Sequence, residues 1–244
     1  MGAQDISWLC RPIAHRGFHD KANGIIENSA SAVKAAISRG YAIEVDVQAS
    51  SELEPIVFHD RKLSRLTPEK GRVQHRSLPE LKSIQYKGSD DHIICLKQLL
   101  ELVDGQVPIL VEIKGRKNSA REFGRRVGQI TKDYPGPVAV MSFEPELVIS
   151  CIEAAPELPR GLTISYFGMP VAGFAKFAAM YVGIGRRIQP QFIACDVRTL
   201  PGLLPVVLKN VLGMKLLAWT VCKQKQIVKA EKWADAMIFE GFEA

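Results

Sequence analysis

The sequence predicts an α/β fold of the (β/α)8 type, a TIM barrel with a small insertion after its second strand, on three observations. Eight short apolar runs of strand character alternate with helical patterns along 244 residues, the profile of eight strand-helix units sharing one sheet. No glycine-rich phosphate fingerprint follows the first strand, as an open doubly wound sheet of the dinucleotide-binding kind would carry. The polar residues interrupting the apolar runs stand at the ends of successive strands, where a barrel places its chemistry, rather than at one switch point.

Each element has its own signal. Ile13-Ala14-His15-Arg16-Gly17 begins as a strand and ends in a glycine turn. Glu27-Asn28-Ser29 opens a helix running to about Arg39. Ser29 can cap it, Ala30, Val33, Ala36 and Ile37 share an apolar side, and Gly40 is its stop. Tyr41 to Val47 is the second strand, so His15 to Glu44 has the length of one strand-helix-strand unit, about 30 residues. Residues two apart on a strand point the same way. Glu44 and Asp46 therefore project together, opposite the buried Ile43, Val45 and Val47.

Ile56-Val57-Phe58-His59-Asp60 follows a short polar gap. Residues from about 61 to 92 carry many charges and the turn residues Pro68, Gly71, Pro79 and Gly88, with one short helical signal at Leu78 to Ser83, and read as the insertion. The repeat then resumes with helix Leu96 to Val103, strand Pro108 to Ile113 and the basic amphipathic helix Ser119 to Lys132. Strands Val138 to Ser142 and Leu162 to Ser165 flank helix Pro145 to Ala154. Strands Phe192 to Asp196, Lys215 to Val221 and Ala236 to Phe239, separated by helices Leu203 to Val211 and Lys223 to Trp233, complete the eight. Tyr166 to Gly185 is apolar and rich in glycine and alanine; Pro170 and its place between strands favour an outer helix over a membrane span or lid.

Composition narrows the class of protein. With 47% hydrophobic and 24% charged residues and no linker or low-complexity block, residues 1–244 read as one domain. The first twelve residues lack the basic end and apolar run of a secretory signal, and Ile6 stands where a myristoylation motif needs Ser or Thr. Five cysteines, odd in number and without a Cys-x-x-Cys pair, indicate neither a disulfide framework nor a zinc knuckle and fit a reducing cytoplasm best. The net charge of +6, with basic groups at Arg61-Lys62 through Arg76, Arg116 to Arg126 and Arg186-Arg187, favours a small anionic substrate. No aromatic interleaving or nucleic-acid module accompanies it, so nucleic acid is not the expected partner, and no stable membrane insertion is expected. Oligomeric state is open.

The strand ends supply the chemistry. His15 and Arg16, then Glu44 and Asp46, then Glu112 and Lys114 are polar residues within apolar strands, and the second and third pairs repeat the spacing of two. Glu44, Asp46 and Glu112 could together hold one divalent ion through oxygen, while Arg16 and Lys114 could hold an anion. His59 would hang above the same mouth. Each residue has an ordinary alternative: a charged strand face in water, a structural histidine, a local Glu-x-Lys pair. Their joint occurrence is what argues for a site.

In combination and order, His15-Arg16-Gly17, Glu27-Asn28, Glu44-Val45-Asp46, His59-Asp60, Glu112-Ile113-Lys114 and Trp219-Thr220-Val221 resemble the glycerophosphodiester phosphodiesterase family. The resemblance implies a (β/α)8 barrel with an insertion after the second strand, and metal-dependent hydrolysis of a glycerophosphodiester to glycerol 3-phosphate and an alcohol. It implies a metal on Glu44, Asp46 and Glu112, magnesium or calcium with manganese also suited. It gives acid-base work to His15 and His59 and phosphate contact to Arg16 and Lys114, and it makes Trp219 a substrate wall, where core filling is the ordinary fate of a strand aromatic. Glycerophosphocholine-type compounds are the expected substrates. A phospholipase D-like enzyme acting on lysophospholipids and a non-catalytic phosphoester-binding protein are the alternatives.

The chain departs from the family pattern in four places. Ile26-Glu27-Asn28-Ser29 stands for Pro-Glu-Asn-Thr, and Ser51-Glu52-Leu53-Glu54 replaces an Asp-Gly turn. Cys222 replaces an Asn, and the closing Thr-Asp-x-Pro is absent from Ile238-Phe239-Glu240-Gly241. These changes bear on the substrate alcohol more than on the reaction.

Overall fold

Apolar alternation places the strands, and their pairing closes them into a ring. The computed structural model describes residues 5–115, 120–165 and 183–244. Strands β1 (Ile13–Ala14), β2 (Ala42–Ala49), β4 (Ile109–Lys114), β5 (Val138–Ser142), β6 (Arg160–Ile164), β7 (Phe192–Asp196), β8 (Lys215–Val221) and β9 (Ala236–Phe239) are all parallel. They run in the order β1-β9-β8-β7-β6-β5-β4-β2, and β1 pairs with β2 to close the barrel. The open-sheet alternative is thereby excluded. A ninth strand, β3 (Pro55–Val57), lies antiparallel on β2 and turns the chain back over the barrel rim.

Two apolar layers follow from the alternation within each strand. Ile43, Val45, Val47, Val111 and Val140 face outward and are buried against the helices α1 (Ala30–Ser38), α3 (Leu96–Val103), α4 (Ala120–Thr131) and α5 (Pro145–Ala154). Ala42, Leu110, Ala139, Met141, Phe192, Leu217 and Ile238 fill the lumen, with Trp8 and Leu9 closing it from the N-terminal turn Ser7–Cys10. The lower barrel is thus a packed core and not a pore. Helices α4 and α5 approach closely because α4 carries Gly124 and Gly128. A Cβ there would stand 2.5 Å from the Leu147 carbonyl and 2.3 Å from that of Cys151.

The predicted caps form. Ser29 Oγ accepts from the Ala32 N–H and starts α1, and Gly40 takes a positive φ of 69° just past its end. The later helices Leu203–Asn210 and Gln224–Trp233 lie where the sequence places them. Of the apolar stretch from Tyr166 to Gly185, residues 166–182 lie outside the described residues. Residues 183–188 are helical. Among the described residues no helix is long and apolar enough to cross a membrane.

The insertion is more than a charged excursion. Leu63, Leu66, Val73, Leu81, Ile84, Tyr86 and Ile93 form a separate apolar core with Ile26, Ile56 and Phe58, and Phe58 stacks on Tyr86 at 6.1 Å. Its one regular helix, α2 (Leu78–Lys82), starts in a capping box of Ser77 and Glu80, as the helical signal predicts. Because Phe58 is anchored there, this small core fixes the backbone immediately before His59.

Candidate active site

The carboxylates come from the upper lumen. Glu44 and Asp46 on β2 and Glu112 on β4 continue the inward-facing rows above the apolar filling, and all three are buried, at 1%, 1% and 8% exposure. One oxygen from each lies within 4.8 Å of the others, so they are a candidate metal centre. The donor chemistry fits a hard divalent cation that takes oxygen ligands. The fit is also electrostatic. Burial, with repulsion from Asp46 and Glu112, pushes the Glu44 carboxyl well above its usual range, and its Oε1 is buried without a hydrogen-bond partner.

Asp46 differs from its neighbours. Burial would raise its pKa, but Lys114, Arg16, His59 and the Asn28 amide hold it below the usual range. Lys114 Nζ stands 3.1 Å from Asp46 Oδ1 and donates to Glu112 Oε1 at 2.6 Å, while Arg16 Nε lies 3.2 Å from Asp46 Oδ2. Glu112 is raised by burial and by Asp46 despite its contact with Lys114. Both predicted anion-binding cations therefore stand at the carboxylate cluster, where they offset buried negative charge.

The turn after β1 is built for this contact. Gly17 has a φ of 78° and lies so close to α1 that a Cβ would stand 2.9 Å from Ala32. Arg16 also takes a positive φ, and its backbone N–H donates to Glu44 Oε2 at 2.9 Å. Asn28, fully buried, donates from Nδ2 to Asp46 Oδ2 at 2.9 Å and accepts from the Asp46 N–H at 3.2 Å.

Each histidine is gripped by a carboxylate through Nδ1. His15 Nδ1 lies 2.6 Å from Glu240 Oε2, and its Nε2 faces Glu44 Oε2 at 4.0 Å. Glu240, bonded to His15 and also facing His19 Nε2 at 3.5 Å, is held well below the usual carboxylate range. His59 Nδ1 lies 2.8 Å from Asp60 Oδ1. The carboxyl of Asp60 is lowered to about 2, chiefly by its hydrogen bonds from Arg65. An ionised carboxylate only accepts, so in the neutral ring the proton sits on Nδ1 and the lone pair on Nε2 faces the cavity. Burial also lowers the His59 pKa from that of an ordinary imidazole, which favours the neutral ring.

Several further residues position these groups. Gln48 Nε2 donates to the carbonyls of Phe58 and Asp60, both at 2.7 Å, and so pins the backbone on either side of His59. Arg65, from the insertion, binds Asp60 and also donates to Glu27 Oε1 and Oε2 at 2.7 and 2.8 Å. Glu27 in turn accepts from Arg16 at 2.6 Å. One guanidinium thus braces the carboxylates that hold both His59 and Arg16. The sequence signals differ: Glu27 and Asp60 belong to the Glu27-Asn28 and His59-Asp60 pairs that carry the family resemblance, Gln48 continues the Glu44-Asp46 spacing by two, and Arg65 and Glu240 have none.

His15, Arg16, Glu44, Asp46, His59, Glu112, Lys114 and Trp219 all line one cavity of about 110 Å³ at the barrel mouth. All eight predicted site residues are brought together. Trp219 is half-buried, packs on the lumen core and meets Phe143 edge to face at 5.5 Å. The cavity shares His59, Glu112, Lys114 and Phe143 with a vestibule of about 950 Å³ that Gln48, Arg61, Lys62 and Gln74 also line.

Buried carboxylates, cations beside them and two carboxylate-held imidazoles at the C-terminal mouth of a closed parallel barrel define an enzyme for anionic esters. The chain belongs to the Glycerophosphoryl diester phosphodiesterase family, whose model matches residues 15–241. It is 28% identical over 236 residues to YhdW of Bacillus subtilis (strain 168), provisionally named a glycerophosphodiester phosphodiesterase, covering 90% of this chain and 89% of that one. It is 26% identical to the glycerophosphodiester phosphodiesterase of Caldanaerobacter subterraneus subsp. tengcongensis, with the same two coverages of 90% and 89%. The fold is also that of an Oleispira antarctica phosphodiesterase solved in complex with its product sn-glycerol-3-phosphate. That structure has a TM-score of 0.78 at 22% identity, covering 94% of this chain and 92% of the other.

Proposed function

We propose that this protein is a metal-dependent phosphodiesterase that hydrolyses glycerophosphodiesters to glycerol 3-phosphate and an alcohol. The observation that carries the reading is the pair of imidazoles, each oriented by a carboxylate at Nδ1, lining the cavity that holds Glu44, Asp46 and Glu112. A site that only bound a phosphoester would not need two such groups. Glu44, Asp46 and Glu112 would hold magnesium, calcium or manganese, which supplies charge neutralisation for the phosphoryl oxygens when bound. Residues 1–244 act as one unit in this reading, and the five free cysteines suit a reducing cytoplasm.

Arg16 and Lys114 draw in the anionic diester and fix its phosphate. His59, neutral, accepts the proton from the nucleophile, either water or the neighbouring hydroxyl of the glycerol, as the new P–O bond forms. His15, between Glu240 and Glu44, delivers a proton to the alkoxide as the bond from phosphorus to the leaving oxygen breaks. If the glycerol hydroxyl attacks, water opens the cyclic ester with the two roles reversed. The test is turnover of a panel of glycerophosphodiesters and lysophospholipids, with glycerol 3-phosphate measured directly. Binding without turnover across the panel would leave the non-catalytic alternative, and turnover of lysophospholipids alone the phospholipase D-like one.

The His59 pair sets a pH dependence. Protonation removes the acceptor, and burial disfavours the charged ring, so kcat/KM should fall toward acid with its limb on the acid side of an ordinary imidazole. Asp60 favours the charged ring. Asp60→Asn should therefore move this limb further toward acid while lowering the plateau, because the Nδ1 partner is changed. An acid limb on the alkaline side of an ordinary imidazole in the wild type, or one moved toward alkali by the substitution, contradicts the assignment.

Trp219 is proposed as the wall against the glycerol carbons. Trp219→Ala should reduce kcat/KM by the equivalent of roughly 1–3 kcal/mol with metal affinity unchanged. Its contact with the lumen core adds a loss of stability of up to about 3–5 kcal/mol. Melting and kinetics on one preparation separate the two contributions. A destabilised enzyme with normal KM and kcat would remove Trp219 from the site.

A further inference from the structure

The insertion holds a set of cations that the proposed chemistry does not use. Residues 61–63 and 71–73 run antiparallel: the Leu63 N–H donates to the Gly71 carbonyl at 3.1 Å, the Val73 N–H donates to the Arg61 carbonyl at 3.2 Å, and Lys62 and Arg72 pair as a bridge. Leu63 and Val73 are buried in the insertion core, while Lys62 and Arg72 are exposed. Residues directly opposite across a ladder share a face, and like charges there are destabilising. With Ser64, Lys70 and Gly71 these two cations line a cavity of about 420 Å³.

This is not a segment that pairs its charges at random. Arg76 pairs with Glu69 and Glu80, and Arg65 with Glu27 and Asp60. Among the described residues, Arg61, Lys62, Lys70 and Arg72 have no carboxylate within ion-pair reach. Lys62 lines both this cavity and, with Arg61, the vestibule of the active site. The unpaired charge is therefore continuous with the path of the substrate.

Resting on the phosphodiesterase reading, we propose that Lys62, Lys70 and Arg72 form a second anion subsite that takes a phosphate group carried by the leaving alcohol. Arginine and lysine donors with the Ser64 hydroxyl match phosphate oxygens, and such a group between Lys62 and Arg72 relieves their repulsion. A choline leaving group finds the opposite there. Quaternary ammonium recognition uses aromatic faces, and none lines this cavity. The substrate class shifts from the glycerophosphocholine type expected from sequence to diesters whose leaving alcohol is itself phosphorylated.

The test compares glycerophosphoglycerol with its analogue phosphorylated on the leaving glycerol, in the wild type and in a Lys62→Gln/Lys70→Gln/Arg72→Gln variant. All three side chains are exposed, so the variant should fold. The wild type should prefer the phosphorylated substrate in kcat/KM by about tenfold, a preference that salt erodes. The variant should lose the preference, read as the ratio of the two kcat/KM values so that any loss common to both substrates from Lys62 in the vestibule cancels. Equal rates in the wild type, or a preference surviving in the variant, overturn the subsite while leaving the phosphodiesterase reading intact. If no glycerophosphodiester is turned over, that reading fails, and NMR titration with inorganic phosphate decides the subsite alone. Shifts at the Lys62, Lys70 and Arg72 side chains, absent in the variant, support it, and unmoved signals overturn it. Sedimentation with phosphatidylcholine vesicles containing phosphatidic acid separates the source of the phosphate. Vesicle binding lost in the variant, without any preference among soluble substrates, would assign these cations to a membrane surface and overturn the subsite.

Discussion

His59→Ala is expected to lower kcat by about 10²–10⁴-fold with the fold retained, the loss typical of a removed proton-transfer partner. Retention of the fold has a structural reason. The His59 side chain is one-third exposed, and its backbone is set by the Gln48 amide and by the anchored Phe58, neither of which needs the imidazole. His15→Ala should cost the same order, since its Nε2 faces the cavity opposite the Nδ1 held by Glu240. If the two act in one proton circuit, the double variant should fall little below the worse single one, because groups that act as a unit are not additive. Single-turnover rates with melting temperatures on the same preparations check this. Near-normal turnover in a folded His59→Ala or His15→Ala protein would sink the role assigned to that residue.

The difference between these histidines and the groups that aim them also explains what the sequence could show. Glu44, Asp46 and Glu112 were legible because a period of two carries them into apolar strands, where an ionised side chain has no ordinary reason to be. The eight barrel strands were legible for the same cause, and closure between β1 and β2 decided the one topology that alternation leaves open. Glu240 was not legible. It stands 225 residues from the His15 it holds, in a segment where the family's closing motif is absent, and only the meeting of β9 with β1 joins them. Arg65 was hidden among five other Lys and Arg residues between positions 61 and 76, with nothing local to mark it. The insertion core was equally hidden, because Leu63, Leu66, Val73 and Ile84 enter it one at a time between charges, with neither the strand nor the helix period.

Chelation is expected to abolish turnover, and magnesium, calcium or manganese to restore it, because three buried carboxylates are only partly compensated by the protein's own cations. Arg16 and Lys114 both engage Asp46, Lys114 adds Glu112, and Glu44 is left with the Arg16 backbone N–H and the distant His15 ring. An oxygen-seeking divalent ion at Glu44, Asp46 and Glu112 would remove that deficit. It would also free Lys114 for the substrate phosphate, since one ammonium need not then neutralise two carboxylates. Such binding would be visible without any assay of activity. An ion present at about 100 times its Kd stabilises by about 2.7 kcal/mol, a rise of roughly 5–10 °C in Tm for a chain of this length. Glu44→Gln should cut that rise sharply, since it removes a ligand while keeping the side chain's shape. Calorimetric titration of the metal-depleted protein gives the affinity and stoichiometry directly. Turnover that survives chelation, in a protein whose melting no divalent ion moves, would contradict the metal assignment and leave the three carboxylates to Arg16 and Lys114 alone.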